Sequence, residues 1–331
     1  MHWINFTILF LIVFLFIFLD KITKYVNYYD YPDIKRKIHK IPISKLAGII
    51  IFLICLNIFI FEFINNSWSN KFFYLLIFSF FLIFLLNILD DYKSISANIR
   101  LFTTTLILFF FFSINENFAI NDLFFSTFEY TINLNQASIL FSVLCILLLS
   151  NAINLSDGFN GISISHFLAW YIILFNDKIL VNYFHQINFL IILVLLILNI
   201  KNRTFIGNSG TACLGFFISI FVILNYHNHD LKSSENIFLI FLVPGVDMLR
   251  VFIERIFLKK NPFIADKKHL HHLLIKKFNN KHVLPFYLTM SFAPILSIYI
   301  IDPKNYIYSI ILSIFFYIYI IYLLKRKIKN V

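Results

Sequence analysis

The stretch ADKKHLHHLL, residues 265–274, holds three of the chain's ten histidines and two of its lysines. Imidazole and ammonium groups gathered this closely suit one chemistry, the neutralising and hydrogen bonding of a phosphate or diphosphate. A basic loop alone explains the lysines but not His269, His271 and His272. No HExxH spacing and no Glu-rich partner accompany them, which argues against catalytic zinc. Four other polar groups stand in equally apolar surroundings. Asp90 and Asp91 end a long apolar run. Two adjacent carboxylates there suit a divalent metal or proton abstraction, and a solvated helix end is the plainer reading. Asn151, Asn154 and Asp157 recur every three residues in NAINLSDGFNG. On a helical turn they share a face and offer hard oxygens, beside Gly158 and Gly161, which let a ligand approach the backbone. An ordinary Asn/Gly-rich turn is the alternative. GNSGT, 207–211, offers backbone N–H groups at a helix start, either an anion site or a simple cap. Asp247, Arg250 and Glu254, spaced by three and four, form either an ion-pair ladder or ligand contacts.

The elements that must position these groups are apolar helices. Of 331 residues, 60% are hydrophobic and only 14% charged, where a soluble domain carries about a quarter charged. Mean hydropathy is +0.82. Runs long enough to cross the hydrocarbon core recur at 3–19, 46–64, 72–89, 99–118, 137–153, 160–176, 184–200, 211–226, 236–257, 284–301 and 305–324. The expected fold is therefore all-α, a polytopic membrane protein of about 11 spans, with residues 1–331 forming one domain. The first run lacks a basic start and a small-residue cleavage site, so we expect a retained helix and not a signal peptide. Segment 119–136 is too polar to span and predicts a short external hairpin or a re-entrant piece. Cys55, Cys145 and Cys213 have no CxxC partner, so no disulfide framework is expected.

Charge sets the expected orientation. Of the 28 Lys and Arg residues, 24 fall in segments on one side of this span pattern, and Lys71, Lys178, Lys232 and Lys304 fall on the other. The rich side is cytoplasmic by the positive-inside rule, which puts the N-terminus outside and the C-terminus inside. The net charge of +11 is then mostly this signal, and nucleic acid is not needed as a partner. All five polar clusters fall on the cytoplasmic side, where a membrane lipid and a cytosolic substrate can both reach one site. A transporter would instead place ionisable groups at midplane on broken helices.

Taken in order, DYPDIKRKIHKIPISKLAG, LDDYKSISANIRL, NAINLSDGFNG, RTFIGNSGT and PGVDMLRVFIERIFLKKNPFIADKKHLHHLL resemble the polyprenyl-phosphate N-acetylhexosamine-1-phosphate transferase family. The resemblance runs over residues 30–275. It looks closer to the branch that starts O-antigen, enterobacterial common antigen and teichoic-acid-type glycans than to the branch acting on UDP-N-acetylmuramoyl-pentapeptide. RKIHKIP, PGVDMLRVFIERI and NPFIADKKHLHHLL carry that distinction. The resemblance implies transfer of an N-acetylhexosamine-1-phosphate from a UDP-sugar to undecaprenyl phosphate, with Mg²⁺ or Mn²⁺, in the bacterial inner membrane. It implies that Asp90 deprotonates or orients the lipid phosphate and that Asp91 supports metal or phosphates. It gives Asn154 to the metal, with Asn208, and Asp157 to the nucleotide, with Asn151 on the same face. Phe205 would stack on uracil, His269, His271 and His272 would touch phosphate or sugar, and Lys40 and Lys45 would assist from the first loop. A second copy of the chain is admitted as a partner.

Several positions depart from the family's pattern. Relatives usually have GD where this chain has Gly207-Asn208, and that aspartate is a metal ligand in them. Ser94 stands where a third acidic residue is common. Ser44, Lys45 and Ala47 stand where relatives tend to have Pro, Arg and Gly. These departures imply weaker or altered metal binding, and they support the alternative of a catalytically inactive lipid-phosphate-binding homologue.

Overall fold

A computed structural model of the chain describes residues 2–32, 41–260 and 267–328. Lys40 lies outside the described residues. The elements in order are α1 (His2–Ile17), α2 (Leu19–Val26), β1 (Tyr29–Asp30), β2 (Ile43–Ser44), α3 (Leu46–Asn65), α4 (Asn70–Tyr92), α5 (Ala97–Ile114), β3 (Asp122–Phe125), β4 (Tyr130–Asn133), α6 (Ser138–Ser156), α7 (Ile162–Val181), α8 (Tyr183–Ile200), α9 (Gly207–His227), α10 (Ser234–Phe257), α11 (Leu270–Lys277), α12 (Asn280–Ile300) and α13 (Tyr306–Ile328).

Among the described residues, ten helices are long and apolar enough to cross a membrane, and α1 with α2 makes an eleventh as a pair bent by 83°. Besides a kink at Phe175 inside α7, the bend is a departure from straight spans. Its cause lies in the sequence: α1 is apolar throughout, whereas α2 reads LDKITKYV with three charges in eight residues. The apolar run therefore ends at the bend, and α2 buries only Leu19 and Thr23. Hydroxyl and amide side chains start several other helices by accepting a first-turn N–H. Ser69 caps α4, Ser96 caps α5, Asn182 caps α8 and Ser233 caps α10. Segment 119–136 is a hairpin, with β3 antiparallel to β4 in the register Asp122↔Asn133 to Phe125↔Tyr130. Buried Glu235, in the first turn of α10, holds the turn by accepting from the Ser126 and Thr127 N–H groups at 3.1 and 3.0 Å.

The chain divides into two compact units, residues 1–117 with 166–219 and residues 118–165 with 220–331. In the first unit, rings fill the space between helices. Phe52 of α3 stacks on Phe84 of α4 at 4.0 Å, and Phe80 of α4 stacks on Phe216 of α9 at 5.8 Å. Such contacts matter here because lipid is as apolar as the core, so packing rather than water exclusion must favour helix association. A buried polar knot joins three helices. Glu62 of α3 is 2% exposed and accepts from Lys178 of α7 at 2.5 Å and from Asn66 at 2.7 Å. It also bonds His185 Nε2 of α8 at 3.0 Å, and His185 Nδ1 meets the Tyr171 hydroxyl at 2.8 Å.

In the second unit the core gathers Leu239, Leu242 and Val243 of α10, Tyr287 and Met290 of α12, and Ile310, Tyr317 and Leu324 of α13. The short α11 joins it through Leu270, Leu273 and Leu274. Their spacing of three and four puts one apolar stripe on the core. Burying each of these leucines stabilises the helix by about 1.5–3 kcal/mol if its alternative is water. That stripe fixes the rotation of α11, and with it the directions of the histidines between the leucines.

Candidate active site

The first unit builds a carboxylate cluster. Asp90 and Asp91 lie in the last turn of α4, and Asp90 is only 7% exposed, so it is not a solvated helix end. Asp90 Oδ1 accepts from the Ile95 N–H at 2.6 Å. Its Oδ2 accepts from Arg100 Nη1 at 2.5 Å and from the Asn208 side-chain amide at 2.9 Å. Asp91 Oδ1 accepts from the Asn208 N–H at 2.9 Å. Its Oδ2 accepts from the Ser209 N–H at 3.0 Å, the Ser209 hydroxyl at 2.7 Å and the Tyr28 hydroxyl at 3.1 Å. The first N–H groups of α9 are therefore taken by the chain's own carboxylate. GNSGT is an anion site, as its small residues suggest, but the anion is Asp91.

The backbone around this lock tolerates little else. Gly207 sits at φ +68°, and a Cβ there would lie 2.9 Å from Asp91 Oδ2. A Cβ on Gly48 would lie 2.4 Å from Ser209 Oγ, so α3 and the start of α9 meet only because position 48 is glycine. Thr204 ties the same two segments, accepting from the Ala47 N–H at 3.0 Å and donating to the Ser44 carbonyl at 3.1 Å. The Phe205 N–H donates to the Ser44 carbonyl at 2.6 Å, which places the half-buried Phe205 beside the cluster's frame. Lys45 donates to the Asp91 carbonyl at 3.1 Å and pairs with Asp30 at 3.5 Å. Burial, reinforced by Asp91, pushes the Tyr28 phenol far above its usual range, so it stays a donor.

The second unit builds a histidine cluster. His269 is the residue before α11, 3% exposed, with Nδ1 2.9 Å from Asp247 Oδ2. His271 is 1% exposed. Its two ring nitrogens, like His269 Nε2, have no hydrogen-bond partner among the described residues. Burial, helped by His272, pushes the His271 imidazole well below its ordinary value and keeps it neutral. The rings of His269 and His271 lie parallel at 6.1 Å, and His272 follows at 4.1 Å from His271. A Cβ on Gly158 would lie 2.0 Å from His271 Nε2, so NAINLSDGFNG and the histidine stretch meet at a glycine. Asn151 and Asn154 occupy the last turns of α6, and Asp157 ends it, with its N–H on the Ile153 carbonyl at 3.2 Å. The expected helical face is there.

The ladder of Asp247, Arg250 and Glu254 is also present, at 2.8 and 3.4 Å. It is wider than its spacing suggests, because Lys268 and Lys325 both reach Glu254 at 2.8 Å. Lys268, expected beside a phosphate, belongs to this ladder. Sequence reasoning missed Tyr28, Arg100, Ser209 and Tyr317. Arg100 and Ser209 lie inside the quoted motifs and were open to notice. Tyr28 and Tyr317 are two of 17 tyrosines with nothing local to single them out.

A divalent ion was expected at Asp91, Asn154 and Asn208. Among the described residues, no three His, Cys, Asp or Glu side chains gather as a cage. The donor set of the first unit is nevertheless of the right kind. Asp90 Oδ1 and Asp91 Oδ1 each accept a single bond, leaving a lone pair apiece. The Asn208 amide nitrogen faces Asp90, which turns its oxygen away from the carboxylate. This fits an ion such as Mg²⁺ that keeps several waters and takes its remaining oxygens from substrate phosphates.

Comparison with known proteins bears on the same residues. The family model described as glycosyl transferase family 4 matches residues 72–226, which include Asp90, Asp91, Asn151, Asn154, Asp157, Phe205 and Asn208. The undecaprenyl-phosphate alpha-N-acetylglucosaminyl 1-phosphate transferase of Thermotoga maritima is 30% identical over 274 residues, 82% of this chain and 81% of that protein. The Yersinia pestis protein of the same name is 25% identical over 81% of this chain and 74% of its own length. That of Haemophilus influenzae is 28% identical over 78 residues, 23% of this chain and 22% of its own.

Proposed function

Because this chain belongs to glycosyl transferase family 4, we propose that it transfers N-acetylglucosamine-1-phosphate, or that of a closely related N-acetylhexosamine, from its UDP-sugar to undecaprenyl phosphate. An oxygen of the lipid phosphate attacks the sugar-bearing phosphorus. A P–O bond forms there, the P–O bond to the UMP phosphate breaks, and UMP leaves. The product would begin a cell-surface glycan. The reading takes the full chain as one transferase domain in the bacterial inner membrane, and the lysine and arginine bias puts its polar clusters on the cytoplasmic face.

The observation that carries this reading is the histidine cluster, with buried ring nitrogens left for a partner in a chain whose relatives handle a lipid phosphate and a sugar phosphate. In phosphoryl transfer the protein mainly positions groups and balances charge. A phosphate monoester has its second pKa near ~6 and is largely dianionic at pH 7, so no strong base is needed. Asp90, paired to Arg100, then orients the attacking phosphate through that arginine. Asp91 and Asn208 would hold Mg²⁺ or Mn²⁺, and Asn154 offers a further hard oxygen. When bound, the ion would neutralise charge building on the phosphate oxygens. Phe205 would stack on uracil, and Asp157 and Asn151 would meet the nucleotide. His269, His271 and His272 would face phosphate or sugar.

A second reading has one observation in its favour. All four oxygens of Asp90 and Asp91 already accept from the protein, as in a purely structural lock, and the chain would then bind lipid phosphate without turning it over. The test is UMP release by purified protein with undecaprenyl phosphate, Mg²⁺ or Mn²⁺, and a panel of UDP-N-acetylhexosamines. Release that requires both lipid and metal is expected. Protein that binds UMP or lipid phosphate yet releases nothing from any sugar would select the second reading.

A further inference from the structure

Asp247 of α10 is 4% exposed and collects four donors from three directions. Arg250 Nη2 reaches Oδ1 at 2.8 Å and the Tyr317 hydroxyl of α13 reaches it at 2.5 Å. The Leu270 N–H lies 3.1 Å from Oδ1, and His269 Nδ1 lies 2.9 Å from Oδ2. Arg250 also donates to the Lys268 carbonyl at 2.8 Å. Three consecutive residues, 268–270, are thus clamped to one point on α10. We propose that Asp247 is a positioning residue for the reaction: it fixes the His269 ring with Nδ1–H on the carboxylate and Nε2 as the atom offered to a substrate phosphate.

The argument is one of valence. A carboxylate so supplied with donors is ionised and only accepts, so the nitrogen facing it must carry the proton. The other nitrogen, Nε2, is buried and has no partner among the described residues. When the ring carries a proton on each nitrogen, Nδ1–H stays on the carboxylate and Nε2–H donates to a phosphate oxygen. Arg250 and Tyr317 hold the same carboxylate in place, so the ring's orientation is set by all three. A ladder that served only to hold α10 would have no need of an imidazole with a free edge.

The inference rests on the transferase reading, and two measurements on the full-length protein separate their failures. Nitrogen-15 histidine NMR in lipid vesicles, with the His269 signals assigned by loss in His269→Gln, reads the tautomer without turnover. Nδ1 should be protonated in the unaltered protein. UMP release is then followed. Asp247→Asn should lower kcat about ten- to a hundredfold and move the His269 nitrogen-15 pattern away from the Nδ1-protonated form. Tyr317→Phe leaves Asp247 its other donors, so it should keep the fold and Nδ1 protonated and lower kcat less. If Asp247→Asn proves unstable on melting, the tautomers of the unaltered protein and of Tyr317→Phe still decide. A bare Nδ1 in either, or a folded Asp247→Asn protein with unchanged kcat and tautomer, overturns the proposal. If the unaltered protein releases no UMP while Nδ1 is protonated, the transferase reading fails and the tethered histidine stands.

Discussion

The aspartate cluster and the histidine cluster use their hydrogen-bonding capacity in opposite ways. At Asp90 and Asp91 every carboxylate oxygen is met by a donor from the protein itself, and most of the donors sit at or just before helix starts: Ile95 and Arg100 at α5, Asn208 and Ser209 at α9. At His269 and His271 three ring nitrogens are buried without a partner among the described residues, and the polar investment goes into holding the His269 ring from behind. The first is a frame that assembles helix termini. The second leaves ring nitrogens that the proposed function assigns to phosphate or sugar. Leaving a buried polar atom unmet costs about 1–3 kcal/mol, a cost that a phosphate or sugar would remove under the proposed function.

That contrast is most directly broken by removing one member from each side. His269→Gln should cut UMP release by roughly two to four orders of magnitude and leave thermal melting nearly unchanged, since Asp247 keeps Arg250, Tyr317 and the Leu270 N–H. Asp91→Ala should do the reverse in stability. It strands two helix-start N–H groups and the Tyr28 hydroxyl, a loss of about 2–4 kcal/mol that melting in detergent would register directly. A His269→Gln protein that melts as early as Asp91→Ala would mean that both clusters are frames.

Asn208→Asp sharpens the comparison further. The Asn208 amide now donates to Asp90 at 2.9 Å, and a third carboxylate there would face it without a proton between them. We expect melting of the variant to fall by about 1 kcal/mol equivalent in chelator and to recover in magnesium, with a smaller response in the parent chain. Equal responses would deny the ion a place beside Asn208.

The smallest effect concerns pH. The folded chain keeps His271 neutral because burial lowers its proton affinity, whereas the unfolded chain takes that proton below about pH 6.5. The unfolded state then binds more protons, so stability falls as pH drops below that value and continues falling until the folded value is reached. Melting between neutral and mildly acidic pH should show this slope, and His271→Gln should flatten it.

Much of this was legible in the chain. Hydropathy located the spans because the helices are long and apolar; it did not report the bend after α1, where Asp20, Lys21 and Lys24 begin, or the kink at Phe175 in α7. The order of polar motifs pointed to Asp90, Asp91, Asn208 and the histidines. The partnerships were not legible. Asp91 meets residues 63 positions before it and 117 after it, and Asp247 finds His269 22 residues away and Tyr317 70 away. Local spacing reports which face of a helix a residue occupies. It does not report which helix will stand opposite.

The knot around Glu62 has a consequence for how the protein is made. Lys178 and His185 follow Glu62 by 116 and 123 residues. At about 5–20 residues per second, translation leaves that carboxylate without Lys178 and His185 for roughly six to twenty-five seconds. A chain interrupted in that interval carries an acid near the end of an apolar helix without the ammonium that neutralises it in the finished fold. The finished ion pair is thus a chemical record that α7 and α8 have been synthesised and have found α3.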